Sequence, residues 1–485
     1  MTDEQKIWHL YSRFGFGCTP KQWQAVRKLT LNAAIDKLFK DADRDPLPLQ
    51  TPKQFDDRLA ELVEARKEMK ANGKESTDDL AGVKPEDRRA VIEEALNLTR
   101  EVANAWLEQM SGDESAMLRE KMTLFWHGHF ACEIRVPNFA VQQINRFRNG
   151  ALGSFGDLVK GIARDAAMIR YLNNQQNVKN HPNENFAREV LELFTIGRGH
   201  YTETDVKEAA RAFTGWVAGF DGEFRLARRR HDFDAKTFMG QTGDWDGDDI
   251  LSIVLTRPEV ATFITRKIYR FFVSDTDTSD AAQARIADLA KTFFASGLNV
   301  GQLMRRIAQS EWFYDAEYMN NRIKSPIELL VGLKRVFKLQ PDDSRTYLQL
   351  ERALGQVLFH PPNVAGWAGG KSWIDNSTLL VRMNLVPLVF MQSDLEMQFK
   401  EVPEAKAMAK LGKMQVKLDP SAFIETFAHV PDTALYDELC RYLFGKVIEM
   451  KAATVYKFVP VGTPPAEQLT TLAMRLMTLP EYQLG

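Results

Sequence analysis

The sequence predicts a mainly α protein, a multi-helix globular bundle with one short β-hairpin near residues 216–226. Three observations carry this. Apolar residues recur at spacings of three and four through most of the chain, the period of helices that bury one face. Cap-then-proline pairs such as Thr19-Pro20 and Ser325-Pro326 open segments, since proline lacks the N–H that a first helical turn leaves unpaired. Gly215-Trp-Val-Ala-Gly-Phe-Asp-Gly-Glu-Phe-Arg-Leu226 reads instead as two strands about an Asp221-Gly222 turn.

At 485 residues and 44% hydrophobic content the chain can bury a large core. We read one large helical domain over 1–485, with a charged helical hairpin inserted at about 41–111. Lys plus Arg number 63 against 65 Asp plus Glu, so no global charge draws in nucleic acid or an anionic membrane. Cys18, Cys132 and Cys440 lie far apart and form no Cys-x-x-Cys pair. No apolar run is long enough to span a bilayer, and the first residues lack the basic-then-apolar pattern of a leader. As given, the chain is expected in the cytoplasm.

In chain order, His9-Leu-Tyr-Ser-Arg-Phe-Gly-Phe-Gly17 ends in a glycine turn before a helix that runs to Leu29. Arg13 is read as a solvent-facing or interhelical salt-bridge residue, with a buried carboxylate as its other option. Charged helices near 52–71 and 85–110 flank Ala71-Asn-Gly-Lys-Glu-Ser-Thr. The next helix, Glu114 to Phe130, ends Phe125-Trp-His-Gly-His-Phe130. Its His127 and His129 stand about 200° apart on a regular helix, so they serve different neighbours unless the helix breaks at Gly128. Helices at 137–149 and 154–171 then lead through Asn173-Asn-Gln-Gln-Asn177 to the most unusual stretch.

That stretch, 181–197, reads as one helix opened by Pro182 and Asn183 and closed by Gly197. Phe186, Val190, Leu193 and Phe194 make it apolar over a broad surface, yet Asn185, Glu189 and Glu192 share one face at i, i+4 and i+7. Two acids one turn apart need a cation. It is either Arg188, four residues from both Glu184 and Glu192, or a bound metal ion.

Thr202 and Asp205 form a capping box for a helix to about Trp216, along which Asp205, Glu208 and Arg211 share a face. The hairpin follows and delivers His231-Asp232. Helices at 246–255, 258–273, 279–296, 300–310, 325–338 and 344–358 lead to a rigid Pro/Gly/Trp loop, Leu354 to Trp373. There Trp367 and Trp373, near His360 and Asn363, either stack on a substrate or plug the core.

In order over most of the chain, these motifs are joined by Tyr201-Thr-Glu, Ala210-Arg-Ala-Phe-Thr-Gly-Trp216 and Pro361-Pro-Asn-Val-Ala-Gly-Trp367. Together they resemble the bacterial family catalogued as domain of unknown function 1800. The resemblance implies no established activity. It does imply that members are often exported and often encoded beside a partner family resembling alkaline phosphatases and sulfatases. The chain departs from it in lacking a visible export signal and in carrying Phe194 where similar proteins often have histidine.

Two functions are consistent with these residues. In the first, a metal-dependent hydrolase or oxidoreductase, His127, His129, Glu189, Glu192 and His231 supply ligands to a divalent zinc, iron or manganese ion. Glu189, Arg188, Asn185, Glu208 and Arg211 would then serve catalysis, and Trp367, Trp373, Asn363 and His360 would bind substrate. In the second, a non-catalytic scaffold or accessory protein, the acid and arginine stripes fix helix register and the charged hairpin meets a partner protein.

Overall fold

Local capping chemistry sets the helix starts. Thr2, Thr19, Thr202 and Ser325 each accept from the backbone three residues on, while Gln5, Gln22, Asp205 and Glu328 reach back to the cap's own N–H. The computed structural model describes residues 1–71, 84, 86–390, 416–459 and 462–485. It is a mainly helical bundle in which one apolar core runs from Ile7 to Tyr482. Among the described residues no helix is long and apolar enough to cross a membrane.

Helix Met117–His129 lies deep in this core, with all but two of its thirteen residues buried. A helix buried on every side must pair each polar group it carries. Glu120 accordingly accepts from Trp106 Nε1 at 3.0 Å and from Arg148 Nε at 2.8 Å.

The hairpin at 216–226 forms as read, Trp216↔Leu226 to Ala218↔Phe224. A second pairs Lys236–Phe238 with Gln241–Gly243. Its turn residues Met239 (φ 46°) and Gly240 (φ 79°) are both left-handed, a conformation usually signalled by Asn-Gly, and Met in the first place hides it from sequence reading. A third short pair joins Gln340–Pro341 to Val416–Lys417.

The helix read at 154–171 is two, Phe155–Ala163 and Ala166–Tyr171, because buried Asp165 caps the second by accepting from Ala167 and Met168 N–H. The helix read at 344–358 is Thr346–Leu354 and stops at Gly355 (φ 90°). Of the charged pair, Lys53–Ala71 is mostly exposed and buries Phe55 and Leu62, a heptad apart. Its companion Arg88–Ser111 sinks Val102, Trp106, Leu107 and Met110 into the core. The stretch joining them, 72–83 and 85, lies outside the described residues.

The main departure is at 181–197. Asn183 caps an α-helical turn, Glu184–Glu189, which continues as a π-helix, Val190–Thr195. Bonds from i to i+5 widen the turn, so a face counted at 3.6 residues per turn does not continue past Glu189.

Candidate functional site

The π-turn displaces carbonyls from their usual partners, and two side chains meet them. His129 Nε2 lies 3.0 Å from Phe194 O. A carbonyl only accepts, so Nε2 carries the proton and Nδ1 is left to accept from Lys267 Nζ at 3.1 Å. Lys267 also donates to Leu193 O at 2.9 Å. Burial, then the Lys267 charge, holds the His129 imidazole well below its ordinary pKa, and burial lowers Lys267 to about 8. Thr195 Oγ1 adds a 2.6 Å bond to Val190 O.

His127 faces a different neighbourhood. Its Nε2 accepts the Phe359 N–H at 3.2 Å, and its ring sits among Trp106, Phe359 and Trp367. Burial lowers its pKa to about 3, so the ring is neutral.

Along the acidic helix, Arg188 bonds Glu184 at 3.0 Å, as the sequence suggests. Its other partner is Glu203, at 2.7 Å, and not Glu192. The π register carries Glu192 to Arg198 and to Tyr201 Oη, the latter at 3.1 Å. Glu189 stands at the α/π junction, its pKa raised by burial and by Glu192. Asn185 Nδ2 donates to Leu172 O at 3.2 Å.

The second stripe is a fastening. Arg211 reaches Asp232 Oδ2 through Nε at 2.7 Å and Glu208 Oε2 through Nη1 at 2.8 Å. Glu208 Oε2 also accepts the Thr237 N–H at 3.2 Å, and Asp205 Oδ1 accepts that of Met239 at 2.7 Å. Helix Glu203–Ala212 is thereby pinned to the second hairpin. His231 donates Nδ1–H to Thr214 O at 2.7 Å.

In the Pro/Gly/Trp loop, Gly366 (φ 76°) packs where a Cβ would strike the Gly128 carbonyl, so the loop lies directly on the helix that carries His127. Trp373 is buried, whereas Trp367 is half-buried over His127. Asn363 is exposed and holds its own turn by accepting from Ala365 N–H at 2.9 Å. His360 Nδ1 lies 3.6 Å from Glu133.

The residues singled out from sequence are thus distributed over several separate hydrogen-bond networks. Among the described residues no group of three or more His, Cys, Asp and Glu is arranged to hold a metal ion.

Among the buried acids that stand outside the expectations from sequence are Glu351 and Glu328. Glu351 accepts the Leu358 N–H at 3.2 Å, and burial raises its pKa to about 8. Its signal was present, since it shares the apolar stripe of Tyr347, Leu350 and Leu354. Glu328, the capping-box acid of helix Pro326–Phe337, pairs with both Lys121 and Arg322. Arg13, in turn, is fully buried and donates to Tyr318 O at 2.6 Å and to Asn321 Oδ1, where a salt bridge was expected. No curated protein and no solved structure matches the chain. The family model described as a protein of unknown function, DUF1800, matches residues 9–484, and the chain belongs to that family.

Proposed function

We propose that the chain is a non-catalytic helical scaffold that serves as accessory to a partner protein. The observation that supports this reading best is the use made of the second stripe: Asp205, Glu208 and Arg211 spend their polar atoms holding helix Glu203–Ala212 against Asp232 and the second hairpin. In this reading the network fixes the register of that helix against the hairpin. The partner is a protein of the alkaline phosphatase and sulfatase type, as the family resemblance implies, and it docks on the exposed charged helix Lys53–Ala71.

Two measurements test this. The chain, purified without chelator or His-tag, is analysed for metal. Stoichiometric metal that is lost in Glu189→Ala or His127→Ala, with the fold intact by circular dichroism, would overturn the scaffold in favour of a metal-dependent enzyme. Co-expression with a protein of the stated type should give a complex, and charge reversal at Asp57, Arg58 and Glu61 should break it. Absence of a complex sinks the accessory role, and a complex indifferent to the reversal sinks the assigned face.

A further inference from the structure

Glu328 stands among more positive charge than it can neutralise. Lys121 and Arg322 Nη1 (2.8 Å) take its Oε1, while Arg322 Nη2 (3.1 Å) and the Ser325 N–H (2.6 Å) take its Oε2. Both oxygens are then committed. Arg13 and Lys324 share with these groups the wall of a cavity of about 50 Å³, and neither has a carboxylate within ion-pair distance among the described residues. Lys324 Nζ donates to Tyr482 O at 2.8 Å and lies 4.0 Å from the centre of that ring.

The wall therefore carries four cationic side chains, Arg13, Lys121, Arg322 and Lys324, against one carboxylate. Counting a carboxylate at Gly485, also in the wall, still leaves two uncompensated positive charges. Arg382 is fully buried close enough to lower Lys324 further and to be influenced by Glu328. Asp275 acts on Arg13 from the other side.

A second observation is independent of this charge. Arg13 Nε and Nη1, Tyr11 Oη and Trp23 Nε1 are all buried without hydrogen-bond partners, and all three residues line the cavity. Each can donate. Water would satisfy donors but would not compensate charge, and buried charge without a counter-ion is strongly unfavourable.

We infer that this cavity binds one small tetrahedral oxyanion of the sulfate and phosphate class. The cavity has room for several waters, which is the space a small tetrahedral ion needs. Lys324 and the free edge of Arg13 are its charged donors, and Tyr11 and Trp23 its neutral ones. Burial lowers Lys324 to about 7 and Lys121 to about 8, the direction expected of ammonium groups taken out of water, and the one carboxylate beside them, Glu328, does not reverse it. The site is independent of the scaffold reading, and either can fail alone.

The test uses the full chain, dialysed into chloride buffer. Equilibrium dialysis with radiolabelled sulfate or phosphate should show about one saturable site per chain that chloride at equal ionic strength does not displace. The two labels distinguish which oxyanion is preferred. An ion too tightly held to exchange is read by ion chromatography of acid-denatured protein. Lys324→Gln should weaken binding about ten- to a hundredfold, the effect of one charged hydrogen bond, while Arg305→Gln on the surface leaves it unchanged. Two results overturn the inference: neither saturable nor released oxyanion in the native chain, or folded Lys324→Gln and Arg13→Lys variants that bind as the native chain does. Should both variants fail to fold, a native melting temperature that rises no more in sulfate than in chloride overturns it as well.

Discussion

The Lys267 ammonium lies 3.1 Å from His129 Nδ1 and 2.9 Å from Leu193 O, so the pair closes the π-turn from its two open carbonyls. His129→Phe would leave both the ammonium and Phe194 O short of a partner in the interior, at a cost of about 2–4 kcal/mol. His129→Gln, whose amide can supply one donor and one acceptor, should cost about 1 kcal/mol. Urea midpoints decide between them. Equal losses would show that the ring's packing against Phe125 and Phe130, not its hydrogen bonding, is what the position supplies.

Buried neutral rings also set an acid limit. His9, His127 and His129 are each held below the ordinary imidazole value, first by burial. A folded pKa below the unfolded one means that the unfolded chain takes up protons first as pH falls. Stability from these rings is full above about pH 6.5 and is lost below it, by up to about 1.4 kcal/mol per pH unit each. Glu351, raised to about 8, acts oppositely, because the folded chain already holds its proton in this window. Urea unfolding from about pH 6.5 to 5 should therefore register a net uptake of protons, larger by about one in Glu351→Gln. A flat profile in both would contradict neutral buried rings.

How far this could be read in advance depends on where the signal is local. Caps at Thr19, Thr202 and Ser325 and the Asp221-Gly222 turn rest on neighbouring residues, and each forms as the sequence indicates. The π-turn does not, because it is fixed by His129 and Lys267, far from it in sequence. That long-range contact moves Glu192 away from Arg188, so a pairing inferred from 3.6-residue spacing misplaces it. The surroundings of Glu328 were hidden for the same reason. Arg13, Lys121, Arg322 and Lys324 come from three distant stretches, and nothing in any one of them announces the others. Helix Pro326–Phe337 did carry a sign, since its run is apolar on every side yet contains Glu328, Lys334 and Arg335, all buried.

Removing the centre of that cluster should be severe. Glu328→Gln leaves Lys121 and Arg322 without their shared carboxylate, which for a buried pair costs about 3–5 kcal/mol. Lys121→Met in the same chain should recover part of the loss, and a double-mutant cycle should give a coupling of about 1–3 kcal/mol. Strict additivity of the two variants would mean that the carboxylate acts through Arg322 and the Ser325 cap alone.

The two arginine stripes should differ in weight. Arg188 is one-third exposed and its partner Glu203 mostly so, and solvent screening leaves such a pair little weight. Arg211 lies between two more enclosed acids and also bonds Ala235 O at 3.3 Å. Arg211→Ala should cost about 1–3 kcal/mol and speed amide exchange at residues 236–243, the hairpin it fastens, whereas Arg188→Ala leaves that exchange unchanged. Equal protection of the hairpin in both variants would remove the register role given to Arg211.

Sulfate keeps its charge through the neutral range, so the pH dependence of its binding reports on the cavity alone. Burial lowers Lys324 to about 7, Lys121 to about 8 and Arg13 to about 9. Among the other groups that face them, Glu328 is held ionised by Arg322 and Lys121, while burial pushes Tyr11, Tyr442, Tyr482 and Cys18 upward and keeps them neutral. Asp275 acts on Arg13, and Arg382 on Lys324, with opposite signs. As pH rises through about 7 to 8 the ammonium groups lose protons, so sulfate affinity should fall, about tenfold for each charge lost. An anion in turn favours the charged forms, and binding near pH 8 should take up protons, seen as a heat that changes with the ionisation enthalpy of the buffer. In Lys324→Gln the lower step should vanish and the step near 8 remain. Affinity that stays constant from about pH 6 to 9 would mean that Lys324 does not face the anion, because a bound oxyanion cannot be indifferent to the charge of its own donor.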